Sequence, residues 1–143
     1  MLNEEQLKTF FHEGDHFARL IGAELIEIKE GYARARMLVT DKHLNGAGTC
    51  QGGALFTLAD LAFAGAVNSH GQLTVSTSSN ITYFRPATLG YVYAEAVETV
   101  NHHRMPYAEV RLTDEAGNLI AIFTSSGYRK KEAINNESPL YKN

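Results

Sequence analysis

The sequence is poor in the residues that build disulfide frameworks, linkers and rigid turns: it has one cysteine, three prolines and no tryptophan. A lone cysteine, Cys50, can form neither an internal disulfide nor a cysteine metal cage, so the sequence favours a protein of the reducing cytoplasm. The prolines are scattered, and no repeat or low-complexity tract interrupts the chain. These absences predict one compact domain.

The sequence also has no large excess of charge of one sign, because it has thirteen Lys and Arg residues and sixteen Asp and Glu residues. Without a basic field, nucleic acid is not an expected partner. The N-terminus is acidic where a signal peptide would be basic. The longest nearly apolar stretch, residues 55–67, falls short of the roughly 20 residues that cross a bilayer. We therefore expect no membrane partner.

Apolar residues make up 44% of the 143 residues, which is enough for one well-packed core. We expect a single domain over residues 1–131. Residues 132–143 are polar and aperiodic, which predicts a flexible C-terminal tail.

Periodicity predicts the first elements. Asn3 and Asp15 are candidate N-caps of two short helices near the N-terminus. Residues 23–39 alternate around a glycine turn, as in a β-hairpin. After the glycine-rich segment 44–53, apolar residues recur at helical spacing over residues 52–70. This helix has no charged outer stripe, so we expect the rest of the fold to surround it.

The second half of the chain has four long alternating segments rich in Val, Thr and Tyr, with a turn at residues 114–117 between the last two. They predict an antiparallel meander of four strands. With the first hairpin this gives an α+β fold in which a curved antiparallel sheet wraps around a long central helix.

Asp60 is the one charged residue of the predicted central helix. A buried carboxylate without a partner costs several kcal/mol, so it must be paired, hydrogen-bonded or open to a cleft. Gly53 lies seven residues earlier, almost two helical turns, which places its N–H and the Asp60 side chain on one face. Free N–H groups at a helix start attract negative charge and can act as an oxyanion hole.

The segment from Asn45 to Asp60, NGAGTCQGGALFTLAD, closely resembles the signature of the hotdog-fold acyl-CoA thioesterases of the PaaI type, the phenylacetate-degradation branch. The similarity runs from the hairpin at Gly22 through Tyr83-Phe84-Arg85-Pro86 to about residue 129. It implies the hotdog fold, with the sheet wrapped around the central helix. It also implies a homodimer or homotetramer with active sites at the subunit interface.

The resemblance implies hydrolysis of an acyl-CoA with no metal or other cofactor, coenzyme A being part of the substrate. The Gly53 N–H would polarise the thioester carbonyl. Asp60, facing it from the other subunit, would be the general base or the nucleophile. Asn45 would position the water or the carboxylate, although an Asn-Gly pair is also an ordinary turn. Aryl-acetyl, aryl and medium-chain acyl groups remain open.

Gln51 departs from the family, which usually has histidine before the two glycines. Glutamine keeps a hydrogen-bond donor for the substrate carbonyl but carries no proton or charge. This leaves open a non-hydrolytic acyl-CoA binding protein on the same scaffold. A hotdog dehydratase is weaker, because it needs a histidine to remove a proton from carbon.

Further candidates would contact the substrate. Gly52 permits close approach of a ligand, aromatic residues could line an apolar acyl pocket, and arginines could bind the coenzyme A phosphates. Core packing is the alternative for each aromatic residue, and solvation at the surface for each basic one. The candidates are Gly52, Phe56, Phe63, Tyr83, Phe84, Arg85 and Arg104, with Arg129, Lys130 and Lys131 as further basic residues.

The sequence lacks the motifs of metal sites, serine hydrolases and nucleotide-binding loops. The histidine pairs at residues 12 and 16 and at residues 102 and 103 have no third ligand at a metal spacing, so we expect no metal site. A Gly-x-Ser-x-Gly elbow and the glycine-rich nucleotide loops are missing. Cys50 precedes a helix start, but no motif places a histidine to activate it, so a small buried thiol is expected.

Overall fold

The computed structural model of the chain describes residues 1–135, in which the central helix lies across the concave face of a six-stranded antiparallel sheet. The helices are α1 (Glu4–Gly14), α2 (His16–Leu20) and α3 (Gly52–Asn68). The strands are β1 (Ala23–Lys29), β2 (Tyr32–Val39), β3 (Gln72–Tyr83), β4 (Gly90–Val100), β5 (Tyr107–Asp114) and β6 (Leu119–Ala133). The predicted α+β hotdog architecture is confirmed.

The predicted four-strand meander is wrong in one respect. The order across the sheet is β1-β2-β4-β5-β6-β3, so β3 pairs with β6 and not with β4. The connection 84–89 leaves β3 beside Ile120, whose carbonyl accepts from the Phe84 and Arg85 N–H groups at 2.8 and 3.2 Å. It then passes the start of α3, where the Cys50 N–H donates to the Ala87 carbonyl at 2.7 Å. Alternation along a strand specifies its faces but not its neighbours.

Small residues bring α3 close to the sheet. Alanines of β2, β4 and β5 face the helix and are fully buried. At Gly65, a Cβ atom would lie 2.8 Å from a Leu25 methyl and 2.9 Å from the Ala33 Cβ. Glycine is therefore required here by the close approach of the helix to β1 and β2.

The two N-cap predictions are confirmed. The Asn3 side chain accepts from the Gln6 N–H within a capping box, and the Asp15 side chain accepts from the Ala18 N–H at 3.0 Å. At the other end of the fold, the buried Asn68 side chain joins the end of α3 to β3 through the Thr74 backbone, at 2.8 and 3.1 Å. These contacts fix both ends of the helical layer.

The two edges of the sheet differ. The β1 edge is covered by α1, because Lys8 Nζ donates to the Ile26 carbonyl at 3.5 Å and Glu4 accepts from the Ile28 N–H at 3.4 Å. In contrast, β3 is exposed over residues 75–78. A long open edge strand is a surface for pairing with another chain.

The last strand ends close to the predicted domain boundary at residue 131. Strand β6 continues to Ala133, and the buried Ile134 donates its N–H to the Gly71 carbonyl at 2.9 Å. The rest of the predicted tail, from residue 136, lies outside the described residues. Over residues 1–135, no helix is long and apolar enough to span a membrane.

Candidate active site

The sheet and the two N-terminal helices cover α3 on all but one side. The residues of α3 that keep some solvent exposure beyond its first turn are Phe56, Thr57, Asp60 and Ala64, and Gly53 in the first turn is exposed. These positions follow helical spacing, so they form one open stripe. The prediction that the Gly53 N–H and the Asp60 carboxyl share one face is confirmed. The expectation that the helix is surrounded holds for its other faces only.

At the start of the stripe, Gln51 is the N-cap of α3. Its side-chain Oε1 accepts the Gly53 N–H at 2.9 Å. The predicted oxyanion donor is therefore already bound by an amide oxygen of the same chain. The contact shows that this N–H points out of the helix towards a carbonyl-type oxygen.

Tyr83, the last residue of β3, reaches the same peptide from the opposite side. Its hydroxyl donates to the Gly52 carbonyl at 2.6 Å. A Cβ atom at Gly52 would lie 2.8 Å from that hydroxyl oxygen and 2.9 Å from the ring carbon bearing it. Gly52 thus makes room for the tyrosine, which sequence reasoning placed in the acyl pocket.

Asp60 opens into a cavity of about 310 Å³ between α3, the α1–α2 junction and the start of β3. Apolar walls from Phe11, Phe63 and Leu73 adjoin it. Burial raises the pKa of Asp60 to about 6, and the negative charge of Asp15 adds to the rise. Within residues 1–135 no hydrogen bond or ion pair holds the Asp60 carboxyl, so it is open to a cleft, as one of the sequence alternatives stated.

Asp15 is a site residue that sequence reasoning missed. The sequence predicts Asp15 only as an N-cap, and the structure confirms that role. The same side chain also lies on the wall of the Asp60 cavity. Its position beside Asp60 depends on how α1 and α2 pack over the central helix. No sequence pattern gives that packing.

A second cavity, of about 440 Å³, lies at the start of α3. It brings together five of the sequence-predicted site residues: Asn45, Gly52, Tyr83, Phe84 and Arg85. Phe84 is 54% exposed, so it is free to contact a ligand. Arg85 is also exposed and donates to the Leu119 carbonyl at 3.1 Å, which holds its guanidinium near the cavity.

Asn45 forms the turn that was its alternative interpretation. Its Oδ1 accepts from the Ala47 and Thr49 N–H groups at 2.9 and 3.2 Å, and its Nδ2 donates to the Thr49 hydroxyl at 3.1 Å. It remains exposed at the cavity rim. Within one chain, Asn45 therefore shapes the loop that precedes α3.

The remaining aromatic candidates pack in the core. Phe56 meets Phe123 edge to face with ring centroids 5.2 Å apart, and Phe63 is 1% exposed while also lining the Asp60 cavity. Cys50 is buried, which raises the pKa of its thiol to about 11 and agrees with an inert residue.

Two basic candidates lie elsewhere. Arg104 is in the β4–β5 connection, where it donates to the Arg129 carbonyl at 2.9 Å, and it lines neither cavity. The Arg129 side chain is only 6% exposed and donates to Asn101 at 3.0 Å, so it is not a surface cation. Among the residues that the structure describes, no group of three His, Cys, Asp or Glu side chains could hold a metal ion.

Comparison with known proteins matches residues 47–121 to the model of the thioesterase superfamily. A putative esterase of Archaeoglobus fulgidus is 39% identical over 90% of this chain and 84% of its own length. The acyl-coenzyme A thioesterase PaaI of Escherichia coli K12 is 33% identical over 89% of this chain and 91% of its own. The structure of E. coli PaaI, from the phenylacetic acid degradation operon, superposes with a TM-score of 0.85, covering 92% of this chain and 99% of that one.

Proposed function

We propose that this protein, which belongs to the thioesterase superfamily and has its hotdog fold, hydrolyses acyl-CoA thioesters at the open stripe of α3. The observation that carries the proposal is the pairing of an acyl-oxygen donor with a free carboxyl on one helix face. The Gly53 N–H holds an amide oxygen at 2.9 Å, and Asp60, with a pKa raised to about 6, opens into an apolar cavity.

The reaction follows from these two groups. The thioester carbonyl oxygen accepts the Gly53 N–H, and the carbonyl carbon becomes more electrophilic. Asp60 as a carboxylate either removes a proton from the attacking water or attacks the carbonyl carbon itself. Negative charge that develops on the oxygen is stabilised at the helix start, and the C–S bond breaks with coenzyme A leaving as the thiolate. In the general-base route, the protonated Asp60 returns its proton to the sulfur. In the nucleophilic route, water hydrolyses the acyl-Asp60 anhydride, which releases the free acid, regenerates the carboxylate and supplies the proton of the thiol. Neither route requires a metal or a redox cofactor.

One chain does not bring the two groups to one thioester. Seven residues of α-helix separate Gly53 and Asp60 by about 10 Å along the axis, whereas attack requires groups within hydrogen-bond reach of the same carbonyl. A second copy of the chain would supply the missing carboxyl, so we infer a homodimer with two shared sites. The exposed β3 edge, next to the Asp60 cavity, is the surface on which such pairing would form.

Each end of the substrate has a place in this arrangement. The acyl group enters the Asp60 cavity, whose volume of about 310 Å³ is at the small end of ligand pockets and favours an aryl, aryl-acetyl or medium-chain group. The coenzyme A end lies along the cavity at the start of α3. There Arg85 is the cation best placed for a phosphate, because a guanidinium binds phosphate in a bidentate manner.

Gln51 favours a second candidate function, a non-hydrolytic acyl-CoA binding protein. For a thioester to reach the Gly53 N–H, the Gln51 side chain must rotate away, after which its Nε2 can donate to the same carbonyl. If the rotated state is rare, the apparent affinity for substrate falls in proportion. A chain that retained its own cap would bind coenzyme A without turnover.

The test is release of free coenzyme A thiol from a panel of aromatic and aliphatic acyl-CoAs, with the native chain and Asp60→Asn compared. We expect turnover by the native chain and a loss of at least a hundredfold in kcat in the variant, because the amide is neither a base nor a nucleophile. Val97→Thr, a change at an exposed position on the sheet, is the matched control and should retain full activity.

Native protein that binds acyl-CoA but releases no thiol would favour the binding function and exclude the hydrolase. Equal turnover by the native chain and Asp60→Asn would remove Asp60 from the mechanism.

A further inference from the structure

The peptide unit between Gly52 and Gly53 is held from both of its polar ends. Its N–H, on Gly53, is the oxyanion donor of the proposed function, on which this inference rests. Its C=O, on Gly52, accepts the Tyr83 hydroxyl at 2.6 Å. The two contacts involve opposite ends of one planar, conjugated amide group. A hydrogen bond to the C=O therefore alters the orientation and the polarity of the N–H.

We propose that Tyr83 is a positioning residue for the oxyanion donor: its hydroxyl fixes the plane of the Gly52–Gly53 peptide and makes the Gly53 N–H a stronger donor. A hydrogen bond to an amide oxygen draws electron density through the peptide group towards that oxygen. The N–H is left more positive, which is the cooperative strengthening expected of linked hydrogen bonds.

The fixed geometry matters as much as the polarisation. The N–H groups in the first turn of a helix have no partner within the helix, so contacts from outside the helix can adjust how they are aimed. An oxyanion donor stabilises the transition state best when it is already aimed at the oxygen and needs no reorganisation. Tyr83 lies at the end of β3, and its backbone is paired with Ala121 of β6, so it ties the donor peptide to the sheet.

The fit between Tyr83 and Gly52 supports a specific role for the hydroxyl. A side chain at Gly52 would lie within 3 Å of the tyrosine hydroxyl oxygen and of the ring carbon bearing it. Glycine at this position is therefore what allows the hydroxyl to reach the carbonyl. Because Tyr83 is 46% exposed, the contact does not depend on burial of the ring in the core.

The experiment compares the native chain with Tyr83→Phe, which removes only the hydroxyl. We expect kcat for acyl-CoA hydrolysis to fall roughly fivefold to tenfold, about the value of one well-made hydrogen bond. We expect KM to change less than twofold and the pH midpoint of the rate to stay in place, because Asp60 is untouched and the phenylalanine ring keeps the shape of the cavity that Tyr83 lines. Tyr107→Phe, at an exposed tyrosine of β5, is the matched control and should retain the native kcat.

A second readout does not need activity. In the protein labelled with 15N, the Gly53 amide proton should move upfield in Tyr83→Phe, because its peptide loses the polarising hydrogen bond. The same proton should stay in place in Tyr107→Phe. If the native chain hydrolyses no acyl-CoA, the proposed function fails, but the amide proton still tests the link between Tyr83 and Gly53.

Native kcat in Tyr83→Phe together with an unmoved Gly53 resonance would overturn the inference. An equal loss of kcat in both phenylalanine variants would also overturn it, because the effect would then be general to loss of a tyrosine hydroxyl.

Discussion

At the scale of single residues, the surroundings of Asp60 set the pKa of its carboxyl and so its ability to act as a base. Desolvation in its cavity disfavours the charged form, and Asp15 adds a like charge, so the pKa rises from its ordinary value near 4 to about 6. The proposed reaction requires the carboxylate. A carboxyl with this pKa is still ionised at neutral pH and is a stronger base than an ordinary aspartate.

The raised pKa predicts the pH dependence. The rate, as kcat/KM, should be constant above pH 7 and should fall about tenfold per pH unit below about 6, since protonation of Asp60 removes the base or nucleophile. Asp15→Asn removes the neighbouring charge and preserves an N-cap residue, so it should move the midpoint to lower pH. A native midpoint near pH 4, or a midpoint that rises in Asp15→Asn, would contradict this cause of the shift.

Some features of the candidate site could be predicted from the sequence, and others could not. Gly53 and Asp60 follow from helical spacing, which is a local property, and their shared face was predicted correctly. Gln51 was predicted to donate to a substrate, and in this structure its oxygen accepts from Gly53 instead. The role of Tyr83 depends on β3 ending beside the start of α3, thirty-one residues away along the chain. A contact between residues so far apart in the sequence cannot be predicted from a local pattern.

At the scale of elements, the close approach of α3 to the sheet depends on Gly65. We expect Gly65→Ala to lower the free energy of unfolding by about 1–3 kcal/mol, because the added methyl would lie within 3 Å of Leu25 and Ala33 and the packed strands must move. Gly46→Ala is the matched control, since a Cβ there meets no atom within 4 Å and the change should stay within about 0.5 kcal/mol. Chemical denaturation measures both, and equal stabilities would contradict the packing argument.

The elements themselves were mostly predictable. Asn3 and Asp15 cap their helices, the first hairpin turns at Gly31, and the alternating segments are strands, because capping, turns and alternation are encoded over a few residues. The sheet order was not, since β3 crosses to the far edge beside β6. Because β3 lies at the far edge of the sheet, that edge is open next to Asp60, and Tyr83 reaches the Gly52–Gly53 peptide. The candidate site therefore depends on the order of the strands, which local sequence patterns do not determine.

At the scale of the whole molecule, the proposed reaction requires two chains. The donor and the carboxyl are about 10 Å apart along one helix, one edge of the sheet is covered by α1, and the other is open. A two-fold axis at the open edge would bring Gly53 of each chain towards Asp60 of the other and produce two equal sites.

The most direct test is complementation between two inactive variants. Asp60→Asn removes the carboxyl, and Gly53→Pro removes the donor N–H at a position in the first helical turn where proline is tolerated. Each variant alone should be inactive. After the two are mixed, unfolded and refolded together, half of the dimers should be mixed and each should hold one intact site, which restores about a quarter of the native activity per chain. No recovery from a mixture that forms mixed dimers would contradict the shared site.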